Sequence, residues 1–220
     1  MRLFNILDFI YNIVLISALI LGILRFKKLI KPLRIIFLFV VFGCLTEITI
    51  DILKIFGMRN TSPVGNNYFP LAFLILGLFY FFLLKDYINK RVIIGTVLVF
   101  IFIAIFNLLF IQDLKKFPNI IAPIGALIII VFSILHFLKV LSDANIESLS
   151  AEPLIWINTI ILIYYSANLF YFTLFNLSWE LNREFTRKIH LFYAGVNILF
   201  YAFIAVGFWK VGRKEKNKIA

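Results

Sequence analysis

The chain reads as seven long apolar stretches separated by short polar ones. The stretches cover residues 4–24, 33–57, 68–85, 92–112, 119–140, 153–177 and 188–209. Each has roughly 18 or more mainly apolar residues, enough for an α-helix to cross the hydrocarbon core of a bilayer. The pattern therefore predicts an all-α fold: a polytopic membrane protein built as a bundle of seven transmembrane helices.

The connections between these stretches are short, so neighbouring helices are expected to pack antiparallel. Pro32, Pro70 and Pro153 each stand near a predicted helix start, where a proline costs no hydrogen bond. Segment 62–67 contains serine, proline, glycine and asparagine and predicts the most obvious loop. No repeat or linker divides the sequence, which we expect to form a single domain over residues 1–220.

Composition indicates that lipid is the solvent. The chain is 63% hydrophobic and 15% charged, whereas soluble domains are about half apolar and about a quarter charged. A net charge of +11 also suits a nucleic-acid-binding protein, but here the cations collect at helix ends, where anionic headgroups lie. We therefore expect the lipid bilayer as partner, and no nucleic acid. The single cysteine, Cys44, allows no intrachain disulfide.

Seven spans place the two termini on opposite sides of the membrane. Most of the lysines and arginines fall on one side, at residues 25–34, 85–91, 139 and 210–218. Cytoplasmic loops carry an excess of these residues, so we expect an external N-terminus and a cytoplasmic C-terminus in a bacterial inner membrane. Loop 141–152 is acidic on the cytoplasmic side, but acidic groups weigh little in this rule. Asp8 and Asn12 interrupt the first stretch, which predicts a retained helix rather than a signal peptide.

The second span carries the most unusual polar groups. Glu47, Asp51 and Lys54 are spaced i, i+4 and i+7 and so share one helix face. Ionisable groups in a membrane helix are costly and usually face the bundle interior or water. Two carboxyl groups one turn apart do not both ionise readily, so we expect Lys54 to pair with Asp51 and Glu47 to hold a proton. Glu47 would then donate a hydrogen bond to Asn168 or to a polar residue of the seventh span. The alternative is a structural pair of carboxyl groups, neutralised by Lys54 or protonated.

Polar groups of other spans fall at the same expected depth, in the outer half of the membrane. In the seventh span they form one helical stripe of His190, Tyr193, Asn197 and Tyr201. Together these groups predict a pocket that opens outward, with eight candidate residues: Glu47, Asp51, Asn107, Asn168, Tyr171, His190, Tyr193 and Asn197. The alternative is that stripe residues such as Asn197 and Tyr201, and Asn158 in the sixth span, only bond helices together, at about 0.6 kcal/mol per contact. For His190 the alternative is a solvated helix end.

Several chemistries find little support in the residues. A retinal protein needs a lysine in the middle of its last helix, and none lies between Lys188 and Lys210. Seven-span zinc hydrolases use three histidines, whereas this chain has two. Glu47, Asp51 and His190 are zinc ligands by type, but the signal is weak. No GxSxG, P-loop or HExxH motif is present, and the sequence implies no cofactor.

Segments of the last third resemble an uncharacterised family of small seven-transmembrane proteins of Bacteroidota. They are Glu152-Pro153-Leu154-Ile155-Trp156-Ile157, Tyr164-Tyr165-Ser166-Ala167-Asn168-Leu169-Phe170, Asn197-Ile198 with Tyr201, and Ala205-Val206-Gly207-Phe208-Trp209-Lys210. Glu47 is similar to the acidic position of that family in span two. The chain departs from it in span three, where the family carries a His and a Glu and this sequence has neither. The resemblance implies architecture and a bacterial host, and it brings no activity.

These observations favour a receptor-like or sensory membrane module over an enzyme. Its pocket would take a small-molecule or lipid ligand, and the sequence does not indicate a protein partner. Two alternatives remain: a membrane-embedded enzyme acting on lipid, with or without a metal, and a small-solute transporter. A transporter would want polar groups through the full depth of the membrane, whereas residues 127–132 are entirely apolar.

Overall fold

The computed structural model describes residues 2–58, 60–142 and 152–211. Seven α-helices account for most of them, with a short 3₁₀ turn at Phe26–Lys28 after the first. The helices are α1 Arg2–Arg25, α2 Lys31–Ile55, α3 Ser62–Leu84, α4 Lys90–Phe110, α5 Ile121–Ser142, α6 Pro153–Leu181 and α7 Arg183–Lys210. Each is long and apolar enough to cross a membrane, and the described ranges contain no strand. The predicted all-α bundle of seven spans is confirmed.

Six of the helices form a closed ring. Following the main packing contacts, α1 lies beside α2, α2 beside α3, α3 beside α5, α5 beside α6, and α6 beside α7, which returns to α1. The fourth helix stands outside this ring, packed mainly against α3 and only sparsely against α5. Two open apolar clefts of about 280 and 310 Å³ lie between α4 and α5. The interior of the protein is therefore built by α1, α2, α3, α5, α6 and α7.

Asparagine side chains cap helices at two of the short connections. The Asn89 side chain accepts a hydrogen bond from the backbone N–H of Arg91 at the start of α4. The Asn182 side chain does the same for Glu184 at the start of α7. Such caps satisfy backbone donors that a helix start leaves free. Asn182 is also the single residue between α6 and α7, so these two helices turn back on each other directly.

The start of α3 differs from the expectation that residues 62–67 form a loop. The helix begins at Ser62, because Pro63 stands in the first turn, where its missing N–H is harmless. The asparagines of this segment bond to carbonyls: Asn67 Nδ2 donates to Pro63 O at 2.9 Å. Consequently Pro70 is inside α3 and not near its start, as the sequence had suggested.

The connection between α4 and α5 is fastened to the bundle at one aromatic residue. Phe117 N–H donates to Asn176 Oδ1 at 3.2 Å, and Asn176 Nδ2 donates to Phe117 O at 2.8 Å. The Phe117 ring packs against Phe69 at 5.5 Å and Tyr171 at 5.5 Å between ring centroids. Asn66 Nδ2 donates to two further carbonyls of the same connection. The α4–α5 connection is therefore a fixed part of this end of the bundle.

We call the end at which α1, α3, α5 and α7 begin the N-terminal end of the bundle, and the other the C-terminal end. In the half nearer the C-terminal end, Tyr80 Oη donates to Asn158 Oδ1 at 2.9 Å, and Ser133 Oγ donates to the same atom at 3.0 Å. Asn158 Nδ2 donates to Ser133 O at 3.1 Å. All three side chains are buried. Asn158 thus holds α3, α5 and α6 together, in agreement with the helix-bonding alternative.

Some residues used for the topology expectation lie outside the described residues. They are Arg59, the acidic loop residues Asp143 and Glu147, and the basic C-terminal residues Arg213, Lys214, Lys216 and Lys218.

Candidate functional site

Tyrosines converge on Glu47 in the half of the bundle nearer its N-terminal end. The chain has nine tyrosines, and those outside this group are Tyr80 and Tyr87. We call Glu47 and the other seven the tyrosine cluster; its tyrosines are Tyr11, Tyr68, Tyr164, Tyr165, Tyr171, Tyr193 and Tyr201. Rings of α1 and α7 meet at 5.7 Å, and rings of α6 and α7 at 4.1 Å, between centroids. Five of the six ring helices therefore contribute to one site.

Glu47 is bonded to the first helix. Tyr11 Oη donates a hydrogen bond to Glu47 Oε1 at 3.0 Å. This corrects the expectation that Glu47 would bond to Asn168 or to the seventh span. The physical reason is the helix order: α2 lies beside α1 in the ring, and the Glu47 side chain meets the nearest hydroxyl of that neighbour. The Glu47 carboxyl group therefore acts as a hydrogen-bond acceptor between α1 and α2.

Tyr201 ties α7 to α2 and α3. Its hydroxyl lies beside that of Tyr68 and also against the backbone of α2 at Gly43. A Cβ atom placed on Gly43 would lie 2.6 Å from Tyr201 Oη, so only glycine leaves room for the hydroxyl there. On the other side, the Tyr68 ring stacks on Phe42 with centroids 5.3 Å apart and ring planes 2° from parallel. The Tyr201 hydroxyl is thus held between two helices.

The remaining part of the cluster joins α6 to α7. Tyr164 Oη donates to Asn197 Oδ1 at 3.2 Å, and Asn197 Nδ2 donates to the Tyr193 carbonyl at 2.8 Å. Tyr171 stacks on Tyr193 with centroids 4.1 Å apart and planes at 7°. The His190 ring lies near this stack, 6.4 and 6.2 Å from its two rings. The predicted α7 stripe therefore lines one continuous site.

Asn168 supplies a buried acceptor without a donor. Its side chain is completely buried, and Nδ2 donates to the Tyr164 carbonyl at 3.0 Å. Among the residues that the structure describes, no donor reaches Asn168 Oδ1. Asn168 is four residues after Tyr164 and three before Tyr171, hence on the α6 face that carries both rings. Asn168, Asn197 and Tyr201 are all buried, so their side chains face the interior of the bundle.

The cluster has a buried inner part and a half-buried rim. Tyr164, Tyr171 and Tyr201 are buried, whereas Glu47 and Tyr193 are half-buried, as are Tyr11, Tyr68 and His190. No residue of α2 after Gly43 is buried. The second half of α2, which carries Glu47, therefore covers the cluster only partly.

Asp51 does not join the site. Lys54 Nζ lies 3.2 Å from Asp51 Oδ1, and the two side chains are 60% and 59% exposed. The predicted Lys54–Asp51 pair is confirmed, but it lies on the outer face near the end of α2, away from the ring interior. The two carboxyl groups thus have separate environments. The zinc set of Glu47, Asp51 and His190 is not assembled, and the described residues include no group of three His, Cys, Asp or Glu that could hold a metal ion.

Asn107 lies in a different environment from the cluster. It is buried in the last turn of α4, and its carbonyl accepts hydrogen bonds from the N–H groups of Ile111 and Gln112. Because α4 stands outside the ring of six helices, Asn107 is on a helix that does not line the cluster. Its place in the pocket stays a prediction.

Four members of the site were not among the predicted residues: Tyr11, Tyr68, Tyr164 and Tyr165. The residue pattern held one usable signal for three of them, since Tyr11, Tyr164 and Tyr165 fall in the middle or outer part of their predicted spans, as Glu47 does, whereas phenylalanines occur throughout the chain. Comparison with protein-family models, curated proteins and solved structures finds no match to this chain.

Proposed function

We propose that the protein is a receptor-like, sensory module of a bacterial inner membrane. Its tyrosine cluster binds a ligand that enters from outside the cell, with the N-terminus external and the C-terminus cytoplasmic. The observation that carries this proposal is the buried, donor-free Asn168 Oδ1 inside a cluster with a half-buried rim. A buried acceptor without a partner costs about 1–3 kcal/mol, which a ligand with a suitable donor would recover.

The helices that form the cluster explain how binding would reach the other side of the membrane. Tyr11, Glu47, Tyr68, Tyr164 and Tyr193 come from α1, α2, α3, α6 and α7, so one ligand would contact most of the ring. A ligand shifts a conformational equilibrium only when it binds the two states differently. Because one ligand would contact several helices, a movement of these helices relative to one another changes the affinity for the ligand directly. This suits a sensor whose output is a change in helix packing.

The other half of the bundle gives less support to a transporter. There the polar side chains of Tyr80, Ser133 and Asn158 are buried and bonded to one another. Large apolar side chains such as Phe79 and Leu76 fill the same region and are completely buried. Transport sites usually lie near the midplane between discontinuous helices that open to both sides. A site open at one end therefore fits recognition better than passage.

The orientation is tested by reporter fusion. Alkaline phosphatase, which is active only in the periplasm, is fused after Ala220. We expect no phosphatase activity, and a cytoplasmic reporter at the same position should be active. A strongly active phosphatase fusion would reverse the topology and with it the outward opening.

Access to the cluster is tested by thiol labelling of intact cells. Glu47→Cys is made in a Cys44→Ser background, and a membrane-impermeant maleimide is added from outside. We expect Glu47→Cys to react, and Ser133→Cys, completely buried in the other half, to stay unreacted. Small solutes are then screened for those that slow the reaction at residue 47. A cluster that reacts only after the cells are opened would refute the outward opening.

Two measurements separate the alternatives from a sensor. A solute that slows labelling and also accumulates in proteoliposomes indicates a transporter. Stoichiometric zinc in the purified protein, together with hydrolysis of a lipid, indicates the membrane-embedded enzyme. For the sensor we expect binding without accumulation and without turnover.

A further inference from the structure

We propose that the ligand of the tyrosine cluster is a protonated primary amine carrying a small apolar body. This inference rests on the proposed function, since it names the chemistry of the ligand for the same site. Its basis is three features of the tyrosine cluster: the Glu47 carboxyl group bonded to Tyr11, the donor-free Oδ1 of Asn168, and the tyrosine rings of α1, α6 and α7.

The first feature of the site is its hydrogen-bond acceptors. Glu47 presents its carboxyl oxygens, and Asn168 presents a completely buried Oδ1 that receives no hydrogen bond within the described part of the chain. Lys54 pairs with Asp51 on the exposed face of α2. The site is therefore rich in hydrogen-bond acceptors.

The rings add attraction for a cation. An aromatic face carries a partial negative charge, and an ammonium group within about 6 Å of a ring centroid gains about 0.5–2 kcal/mol. Tyr171 and Tyr193 stack in parallel, so each covers one face of the other, whereas Tyr11 and Tyr201 meet edge to face. Because Tyr11 bonds to Glu47 and contacts the Tyr201 ring, aromatic rings lie beside the carboxyl group, and aromatic faces attract cationic nitrogen.

The buried amide oxygen selects among cations. Asn168 Oδ1 needs a donor, and an R–NH₃⁺ group has three N–H donors. A quaternary ammonium has none and would leave this oxygen unsatisfied. A carboxylate or phosphate ligand would meet acceptors and negative ring faces. The apolar body of the ligand fits the aromatic and aliphatic side chains around the cluster, beside the second half of α2.

The same ammonium chemistry has two sources: a soluble amine and the headgroup of phosphatidylethanolamine. A lipid source is compatible with the second half of α2, where no residue after Gly43 is buried. Leu45 and Ile48, on either side of Glu47, are 57% and 55% exposed and face the lipid. The experiment therefore contains an arm for each source.

The test measures thermal unfolding of the full chain in phosphatidylcholine nanodiscs. Three probes of equal length and different charge are compared at the same ionic strength: n-butylammonium, n-butanol and n-butyrate. We expect only n-butylammonium to raise the midpoint in a saturable way, by on the order of 5 °C. Its trimethylated form, n-butyltrimethylammonium, should bind more weakly because it lacks N–H donors.

Matched variants locate the effect. Glu47→Gln should weaken n-butylammonium binding at least about tenfold. Asp51→Asn removes a carboxylate one turn away on the exposed face and should weaken the binding much less than Glu47→Gln does. Equal losses in both variants would show a general charge effect and overturn the assignment to the cluster.

The lipid arm repeats the titration in nanodiscs that contain phosphatidylethanolamine. If the headgroup is the ligand, the midpoint is already raised and n-butylammonium shifts it little further. If a soluble amine is the ligand, the shift is the same in both lipids. Both outcomes support a primary ammonium.

The failure of this inference differs from the failure of the proposed function. Saturable stabilisation by n-butanol or n-butyrate, lost on Tyr193→Ala, would overturn the amine and leave a ligand-binding cluster. No stabilisation by n-butylammonium in either lipid, with Glu47→Cys still open to thiol reagents, would also overturn the amine. If a cysteine at position 47 does not react with those reagents from outside the cell, the outward-facing site itself is refuted.

Discussion

Substitution of Gly43 by alanine tests the close approach of α7 to α2. An added Cβ would lie 2.6 Å from Tyr201 Oη but 3.5 Å from Tyr201 Cζ, the next atom of the ring. The second distance is an ordinary contact, so the conflict involves a single oxygen atom. To reach normal contact the hydroxyl must retreat by roughly 1 Å. Tyr201 is buried and packed beside Tyr68 and Tyr11, so little space is open to it.

The expected magnitude follows from two opposing effects. Overpacking of a filled interior costs about 1–3 kcal/mol, and replacing glycine by alanine within a helix gains about 1 kcal/mol. Gly195→Ala on α7 provides a matched control, because a Cβ there meets nothing within 4 Å. We therefore expect Gly43→Ala to be about 1–3 kcal/mol less stable than Gly195→Ala.

The assay is reversible unfolding in detergent followed by circular dichroism. For a chain of this size the expected difference corresponds to roughly 2–4 °C per kcal/mol in the midpoint. Tyr201→Phe deletes the conflicting oxygen, so in that background the two alanine variants should agree to within about 0.5 kcal/mol. Equal stability of Gly43→Ala and Gly195→Ala in the wild-type background, or no rescue by Tyr201→Phe, would refute the described contact.

Two further predictions concern hydrogen bonds. Asn158→Leu should lower the free energy of unfolding by about 1–3 kcal/mol, because Tyr80 and Ser133 both lose their acceptor; an unchanged unfolding midpoint would contradict the network. Glu47→Leu should lower it by about 1 kcal/mol, while Glu47→Gln keeps an acceptor for Tyr11 and stays close to wild type. In a Tyr11→Phe background this difference between leucine and glutamine should disappear, as a double-mutant cycle in detergent would show.

The spans could be predicted because length and apolar character are properties of each helix alone. The start of α3 could not, because the signals at residues 62–67 fit both a loop and a first helical turn. Contacts with residues far along the chain decide between loop and helix, since Asn66 donates hydrogen bonds to the carbonyls of residues 114 and 116. Once Pro63 takes the first turn, Pro70 falls inside the helix.

The α7 stripe could also be predicted, since residues three and four apart share a face whatever surrounds them. The partner of Glu47 could not, because it depends on which helix stands next to α2 and how both are rotated. Asp51 is one turn after Glu47 on the same side of α2, yet its side chain is exposed on the outside of the ring. The position of α4 outside the ring could not be predicted for a similar reason: the sequence of α4 does not reveal which helices it packs against.

Contact between the first and the last helix has a consequence for the biogenesis of the protein. Because α1 packs against α7, the ring closes only after α7 has been made. At ordinary rates of translation, Tyr11 waits on the order of 10–40 s between its own synthesis and the arrival of Tyr201. During that interval the polar groups of α1 and α2 lie in the membrane without their later neighbours. Insertion factors and membrane proteases therefore have a defined period in which to bind or degrade an incomplete chain. A chain truncated before α7 cannot close the ring and should stay accessible to them.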